Sequence, residues 1–335
     1  DGGIRTLRND GTGKITLDGG NIGLSGGTTT LALVGSGNGE IAQSIAAGGA
    51  EISIAKEGAG TWTLSNTLTN YSGATTITAG TLEVTGLFGA GTYAKAIAND
   101  GELHINSTSA QTLSGVISGS GLLRKSAAGT LTLSGTNTYI GGTTLSGGTL
   151  ALGTADAIGS TGTITLSGGT LQFSANNTTD YSARFATVDN QAFNFDTNGQ
   201  DVTLATGLTS SSGGSLSKSG SGVLTLESAS NYDGNTTILS GTLRLANSGS
   251  IGTGDISIPD GTLEFTGSTA TNLSNQLFVQ GTGSSPALLN NGSGLLTIQP
   301  GTSTNINVDN GETFTIGGSG DIVIEKSIAS GAGAS

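Results

Sequence analysis

The chain has 335 residues, of which 60 are Gly and 3 are Pro, and it contains neither Cys nor Met. Charged residues make up 10% of the chain, against about 25% in ordinary globular domains. The formal net charge of −12 argues against nucleic acid as a partner, since phosphate binding needs a basic patch, and the missing Cys excludes disulfides and thiolate metal sites.

Targeting and membrane signals are absent from the sequence. No apolar run approaches the ~20 residues of a membrane-spanning helix, so we expect no membrane insertion by this segment. The lack of Met and of a signal peptide at Asp1 predicts a processed or excised chain. The hydrophobic fraction of 34% is evenly spaced along the chain, which indicates short strands joined by tight turns.

Three segments of the chain repeat one another, at residues 56–84, 125–152 and 218–245. Each begins with a Lys and a Gly-rich turn, followed by a strand of the T-L-T-L type. An Asn and a Tyr come next, then a Thr-Thr pair and a closing G-T-L strand. A truncated further copy is predicted from Ile324.

A shorter period of about 20 residues lies inside the longer one, which is the length of one solenoid coil. Within each strand, Leu alternates with Thr, so the Leu side chains share one face. Successive coils should therefore place apolar side chains above one another. The residues that we expect to stack in the core are Trp62, Leu82, Leu131, Leu150, Leu171, Leu224, Leu243 and Leu263.

These patterns predict an all-β fold, a right-handed parallel β-helix (β-solenoid) with about 20 residues per coil. We expect a single continuous solenoid over residues 1–335. Gly should occupy the corners between strands, where the backbone needs positive φ, and Asn70, Asn137 and Asn231 are expected to do the same. Lys56, Lys125, Lys218 and Lys326 recur at one repeat phase, which predicts a sparse ladder of surface charges on one side.

The repeat resembles the autotransporter-associated β-strand repeat, also called the passenger-associated transport repeat. The residues that carry the resemblance in the second copy are Lys125, Gly129–Gly135, Asn137, Tyr139, Gly141–Thr144 and Gly148–Leu150. The resemblance implies a passenger region of a bacterial surface or secreted protein, β-helical and often adhesive. It implies export through the outer membrane and no fixed biochemical activity.

Catalytic chemistry finds little support in the residues. The only His, His104, alternates with Leu103 and Ile105 and is predicted to face outward on a strand. We expect no catalytic site, no cofactor and no bound metal. The irregular, aromatic stretch 180–201 is the best candidate for a binding bulge, and its candidate residues are Tyr181, Arg184, Asp189 and Asp196.

The predicted function is therefore that of a non-enzymatic structural or adhesive solenoid at the bacterial cell surface or outside the cell. Its expected partners are host or glycan surfaces, or further copies of the chain. One alternative is a subunit of an extracellular filament or sheath, built by end-to-end strand stacking. A second alternative is a polysaccharide-acting enzyme on the same fold, which needs paired acidic residues on neighbouring coils.

Overall fold

The computed structural model describes residues 3–24, 27–46, 51–68, 71–247, 249–281, 286–299, 301, 305–309 and 311–331. The chain forms two compact units, Asp1–Thr165 and Leu166–Ser335. Both are built of short β-strands, and two one-turn 3-10 helices interrupt them at Gly89–Gly91 and Ser182–Arg184.

The strands of the first unit alternate along the chain with Gly-rich corners. They are β1 (Gly3–Arg8), β2 (Ile15–Leu17), β3 (Asn21–Gly23), β4 (Thr29–Val34), β5 (Gly39–Ile41), β6 (Ser44–Ala46), β7 (Ile52–Lys56), β8 (Thr61–Leu64), β9 (Thr67–Leu68), β10 (Thr75–Ile77), β11 (Thr81–Val84), β12 (Leu87–Phe88), β13 (Thr92–Tyr93), β14 (Ile97–Asn99), β15 (Glu102–Ile105), β16 (Gln111–Leu113), β17 (Ile117–Ser118), β18 (Leu122–Lys125), β19 (Thr130–Leu133), β20 (Thr143–Leu145), β21 (Thr149–Leu152) and, at the unit boundary, β22 (Ile164–Leu166).

The second unit has the same organisation. Its strands are β23 (Thr170–Gln172), β24 (Ala192–Asp196), β25 (Val202–Leu204), β26 (Ser215–Ser219), β27 (Val223–Leu226), β28 (Thr236–Ile238), β29 (Thr242–Leu245), β30 (Ile256–Ile258), β31 (Thr262–Phe265), β32 (Thr271–Leu273), β33 (Leu277–Val279), β34 (Ala287–Asn290), β35 (Leu296–Ile298), β36 (Asn305–Asp309), β37 (Thr315–Gly317), β38 (Ile322–Ile324) and β39 (Ser327–Gly331).

Most strands pair in parallel with the strand one coil further along, so successive coils stack as sheets. In the first unit the longest orders are β1-β4-β7-β10-β14-β17 and β2-β5-β8-β11-β15-β18-β20. In the second unit they are β23-β24-β26-β28-β30-β33-β36-β39 and β25-β27-β29-β31-β34-β37. Non-consecutive parallel neighbours of this kind define a β-solenoid.

The predicted fold class is thus confirmed, with about 14 coils of about 22 residues each. The irregular coils make the average slightly longer than the 20 residues of the regular ones. The handedness of the solenoid and its continuity over residues 1–335 stay predictions.

The core consists of aliphatic columns that run from coil to coil. In the first unit, Trp62 pairs with Leu82 and Leu82 with Leu103, and Leu131 pairs with Leu150. In the second unit, Leu224, Leu243, Leu263 and Leu288 follow one another in register. The eight residues named from the sequence are at most 1% exposed: Trp62, Leu82, Leu131, Leu150, Leu171, Leu224, Leu243 and Leu263.

Candidate functional site

The lysine that begins each repeat points into the solenoid. Lys56 ends β7, whose buried residues Ile52 and Ile54 share its side of the strand, and it is 0% exposed. Lys125 and Lys218 are 1% and 0% exposed. The expected ladder of surface charges is therefore wrong, because these lysines occupy the inward positions of their strands.

The ammonium of Lys56 closes a corner of the coil with hydrogen bonds to backbone carbonyls. It donates to the oxygens of Glu57 at 3.3 Å and Gly58 at 2.6 Å, in the corner that follows its own strand. It also donates to the oxygen of Ala79 at 2.9 Å, in the corner of the next coil. One lysine therefore fastens two successive corners together.

The other repeat copies build the same corner, which we call the lysine corner. Lys125 donates to the oxygens of Ser126, Ala127 (2.7 Å) and Gly147 (3.3 Å). Lys218 donates to the oxygens of Ser219 (2.8 Å), Gly220 (2.8 Å) and Ser240 (3.1 Å). Each lysine thus binds two carbonyls of its own corner and one of the next.

The Gly of the closing G-T-L strand belongs to this arrangement. Gly80, Gly148 and Gly241 have φ angles of 67°, 64° and 68°, in a region that L side chains rarely adopt. A Cβ atom at these positions would lie 2.7, 2.7 and 2.9 Å from the lysine Nζ of the preceding coil. The distant Lys and Gly of the repeat are therefore parts of one structure.

Burial makes these lysines easier to deprotonate. It lowers the pKa of Lys56, Lys125 and Lys218 from 10.5 to about 8. Lys326 is 6% exposed, donates to the oxygen of Asn275 at 2.8 Å, and burial lowers its pKa as well. A buried amine that is held by carbonyls fits a structural role better than a chemical one.

The Tyr and Thr-Thr elements of the repeat also face the interior. The hydroxyl groups of Tyr139 and Thr143 lie 2.7 Å apart, and those of Tyr232 and Thr236 lie 2.7 Å apart. The Tyr rings are 0% exposed, so each phenol needs a hydrogen-bond partner inside the core. The Tyr therefore fills the core at a corner, and the Thr satisfies its hydroxyl group.

The repeat Asn residues form bridges between coils. The Asn137 amide accepts from Ile117 N at 2.7 Å and donates to Ala157 O at 2.6 Å, and Asn231 Oδ1 accepts from Ser210 N at 3.1 Å. Neither Asn has positive φ, so the expected left-handed conformation is wrong. The hydrogen bonds of the Asn side chain, and not its backbone angle, stabilise these corners. Asn70 lies outside the described residues.

His104 lies on the outer side of β15 in a ring of polar contacts with Ser126, Asn106 and Glu83. Its Nε2 is 2.7 Å from Ser126 Oγ, and its Nδ1 is 3.5 Å from Glu83 Oε1. Asn106 joins the other two groups, since it accepts from Ser126 at 2.8 Å and donates to Glu83 at 2.8 Å. These residues come from successive coils, so the ring fastens one coil to the next.

The same surroundings favour the neutral form of His104. The imidazole side chain is 15% exposed, and this burial lowers its pKa although Glu83 opposes the shift. Ser126, His104 and Glu83 are the residue types of a Ser-His-Glu hydrolase triad. The Ser126 hydroxyl, however, has Asn106 as a second acceptor, which competes with the imidazole for its proton.

The candidate binding bulge at 180–201 is divided between core and surface. Tyr181 is 3% exposed, and the Arg184 guanidinium lies 5.6 Å from the centre of its ring. Asp189 is exposed. Asp196 lies on β24 and accepts from Gln172 Nε2 at 2.7 Å. A binding role for these residues stays a prediction.

The aromatic residues of this stretch pack inside the coil. Phe185 stacks on Phe195 with ring centres 5.6 Å apart, and Phe193 stacks on Phe195 at 6.4 Å. Among the described residues there is no group of three or more His, Cys, Asp or Glu that could hold a metal ion. Nor does the described chain contain a helix with the length and apolar character needed to cross a membrane.

The outer face of the second unit carries a groove of about 220 Å³ that the sequence did not reveal. It is lined by Asn235, Thr237, Asp255, Ser257, Phe278 and Gln280. These residues are 20 or more positions apart from one coil to the next, and only the register of β28, β30 and β33 brings them together. A signal was present in Leu277-Phe278-Val279, where an aromatic residue holds the outward position.

Comparison with known families follows the repeat boundaries. The passenger-associated-transport-repeat family model matches residues 54–84, 123–152 and 216–245. The chain contains three passenger-associated-transport repeats. The resemblance found in the sequence is thus confirmed, and each match starts two residues before the repeat lysine. Neither the search of curated proteins nor the search of solved structures finds a match.

The boundaries of the passenger-associated-transport repeats correspond to structural features of the solenoid. Each matched segment contains a lysine corner and the G-T-L strand of the coil that follows it. The repeats and the fold together support an autotransporter passenger-type repeat region.

Proposed function

We propose that the chain is a non-enzymatic structural and adhesive solenoid of an exported bacterial protein. The observation that supports the proposal is the inward orientation of the repeat's polar residues. The lysine and tyrosine of each described copy point inward and bind groups of the same or the next coil. Residues that recur for catalysis or ligand binding would be exposed at a common site instead.

The proposed location is the bacterial surface or the extracellular medium. The passenger-associated-transport repeats support this location, since the family describes transported passenger regions. The acidic composition, with a formal net charge of −12, suits a soluble outer surface. The chain would hold its outer faces at a distance from the cell and present them to host or glycan surfaces.

Adhesion of beads that carry the whole chain tests the proposal. Beads coated with the chain should adhere to surfaces coated with host-cell glycoproteins, and uncoated beads should not. The variants His104→Asn and Asp100→Asn should adhere as the parent does, because neither residue belongs to the candidate binding bulge. Loss of adhesion in either variant with an unchanged circular dichroism spectrum would contradict the proposal.

The enzyme alternative has its own measurement. A screen of polysaccharides with the purified chain should show no turnover, and turnover that His104→Asn abolishes would promote the enzyme over the scaffold. Self-assembly into filaments also stays a prediction. Electron microscopy of the purified chain would refute it by showing monodisperse particles under all conditions.

A further inference from the structure

We infer that the groove formed by Asn235, Thr237, Asp255, Ser257, Phe278 and Gln280 binds one uncharged pyranose ring of a glycan. The inference rests on the proposed adhesive function and adds its chemistry: a place of contact and a class of ligand.

The floor of the groove is the outer side of a sheet. Thr237 pairs with Ser257, and Ser257 pairs with Phe278. Their strand neighbours are buried in the core, whereas all three side chains are partly exposed. Phe278 therefore stands one coil above Ser257, a small residue that leaves the side of the ring open. An aromatic ring exposed beside small residues can pack against the C–H face of a pyranose.

Polar groups with unused hydrogen-bonding capacity surround the ring. Asn235 Oδ1 accepts from Asp255 N at 3.1 Å, which leaves its amide N–H groups free to donate. Among the described residues, the Asp255 carboxylate and the Gln280 amide have no hydrogen-bond partner. Adjacent hydroxyl groups of a sugar both donate and accept, and the amides and the carboxylate provide the complementary groups.

The outward polar residues Arg244, Glu264 and Asn291 of the same unit are paired with one another. On the neighbouring sheet, Arg244 Nε donates to Glu264 Oε2 at 2.7 Å, and Glu264 Oε1 accepts from Asn291 at 2.7 Å. Pairs of this kind hold successive coils together. The groove differs from them because its polar groups are left for a ligand.

Charge and size narrow the class of ligand. None of the six lining residues is cationic, and Lys326, whose charge interacts with Asp255, is buried and bonded to Asn275 O. A sialylated, sulfated or phosphorylated sugar would thus bring its anion against the Asp255 carboxylate, with no cation among the lining residues. The volume of about 220 Å³ is below the roughly 300–1,000 Å³ of pockets for drug-sized ligands, so it fits one ring.

Saturation-transfer NMR with the whole chain tests the groove. The probes are the methyl pyranosides of glucose, galactose, mannose and N-acetylglucosamine, with sialic acid as the anionic comparison. At least one neutral pyranoside should receive saturation on its C–H face, and sialic acid should not. The affinity of one ring should be weak, with Kd on the order of 1 mM, which many copies on a surface would strengthen.

Variants assign the binding to the groove. Phe278→Leu keeps an apolar side chain but loses the aromatic face, and it should weaken binding about tenfold. Asp255→Asn keeps the shape and loses a charged acceptor, and it should weaken binding about threefold to tenfold. Leu289→Ala removes another partly exposed apolar side chain of the same unit and is the matched control, with binding unchanged.

The outcomes separate this inference from the proposed function. Three results would overturn the glycan groove. They are the absence of saturation in every neutral pyranoside up to its solubility, binding of sialic acid alone, and binding by Phe278→Leu and Asp255→Asn that equals binding by the parent chain. Beads that adhere equally well with Phe278→Leu also overturn it, and they leave the adhesive function standing. Beads that do not adhere, while the soluble chain binds a pyranoside at the groove, overturn the adhesive function alone.

Discussion

Replacing Lys125 by Met isolates the contribution of one lysine corner. Met has a similar length and no donor, so the carbonyl oxygens of Ser126, Ala127 and Gly147 lose the ammonium that binds them. Two effects of opposite sign follow from the substitution. The partly buried carbonyls lose their charged donor, which destabilises the fold, and a buried charge is removed, which stabilises it.

The magnitudes decide between the two effects. Three hydrogen bonds from a charged donor contribute about 1.5–3 kcal/mol each, or about 6 kcal/mol together. A pKa of about 8 in place of 10.5 corresponds to about 3 kcal/mol for keeping the charge in the core. Lys125→Met should therefore lower the free energy of unfolding at pH 7 by about 3 kcal/mol.

The pH dependence of this deficit follows from the same pKa. Between about pH 8 and 10.5, native Lys125 has released its proton, whereas the unfolded chain still carries it. The unfolded state then binds more protons, so the stability of the parent chain rises with pH over this range. Met does not titrate, and the deficit of the variant should grow by up to about 3 kcal/mol.

Urea unfolding at pH 7 and near pH 10 measures both quantities, and hydrogen exchange of the segment 126–148 localises them. Exchange is needed because neighbouring coils of a solenoid can open separately. Lys95→Met is the matched control, since Lys95 is about half exposed and forms a surface ion pair with Glu51 at 3.4 Å. It should change stability by less than about 1 kcal/mol. A Lys125→Met chain as stable as the parent at pH 7, or with a pH-independent deficit, would refute the reasoning.

Three further changes test other parts of the repeat. Gly148→Ala forces a Cβ to 2.3 Å from Ala127 O at positive φ and should cost about 2 kcal/mol or more in urea unfolding. The control Gly147→Ala, with no contact under 3.3 Å, should be nearly neutral. Tyr232→Phe removes the partner of Thr236 and should cost about 1 kcal/mol; equal stability would argue against that bond. Leu243→Ala empties a 0% exposed position, and thermal unfolding should show a loss of about 2–5 kcal/mol.

The alternation and the period of the sequence determined the fold class. Leu131 and Leu133 alternate with Thr, and this two-residue period fixes which side of the strand is buried whatever its neighbours are. The recurrence of such strands about every 20 residues indicated a solenoid, and three repeats with one shared pattern indicated their family. The same alternation, followed to the end of β7, β18 and β26, would have placed the lysines inside. The charge of the lysines favours the opposite side of the strand, since a lone buried Lys is rare.

Tertiary structure alone decided which groups meet. Lys125 and Gly147 are 22 positions apart, and Ser257 and Phe278 are on successive coils, so their contact depends on the exact number of residues in each corner. Corner lengths vary along this chain, and a sequence pattern fixes only the approximate period. The polar networks and the groove arise from the register between coils, because parallel strands bring distant residues side by side only after the whole coil has folded.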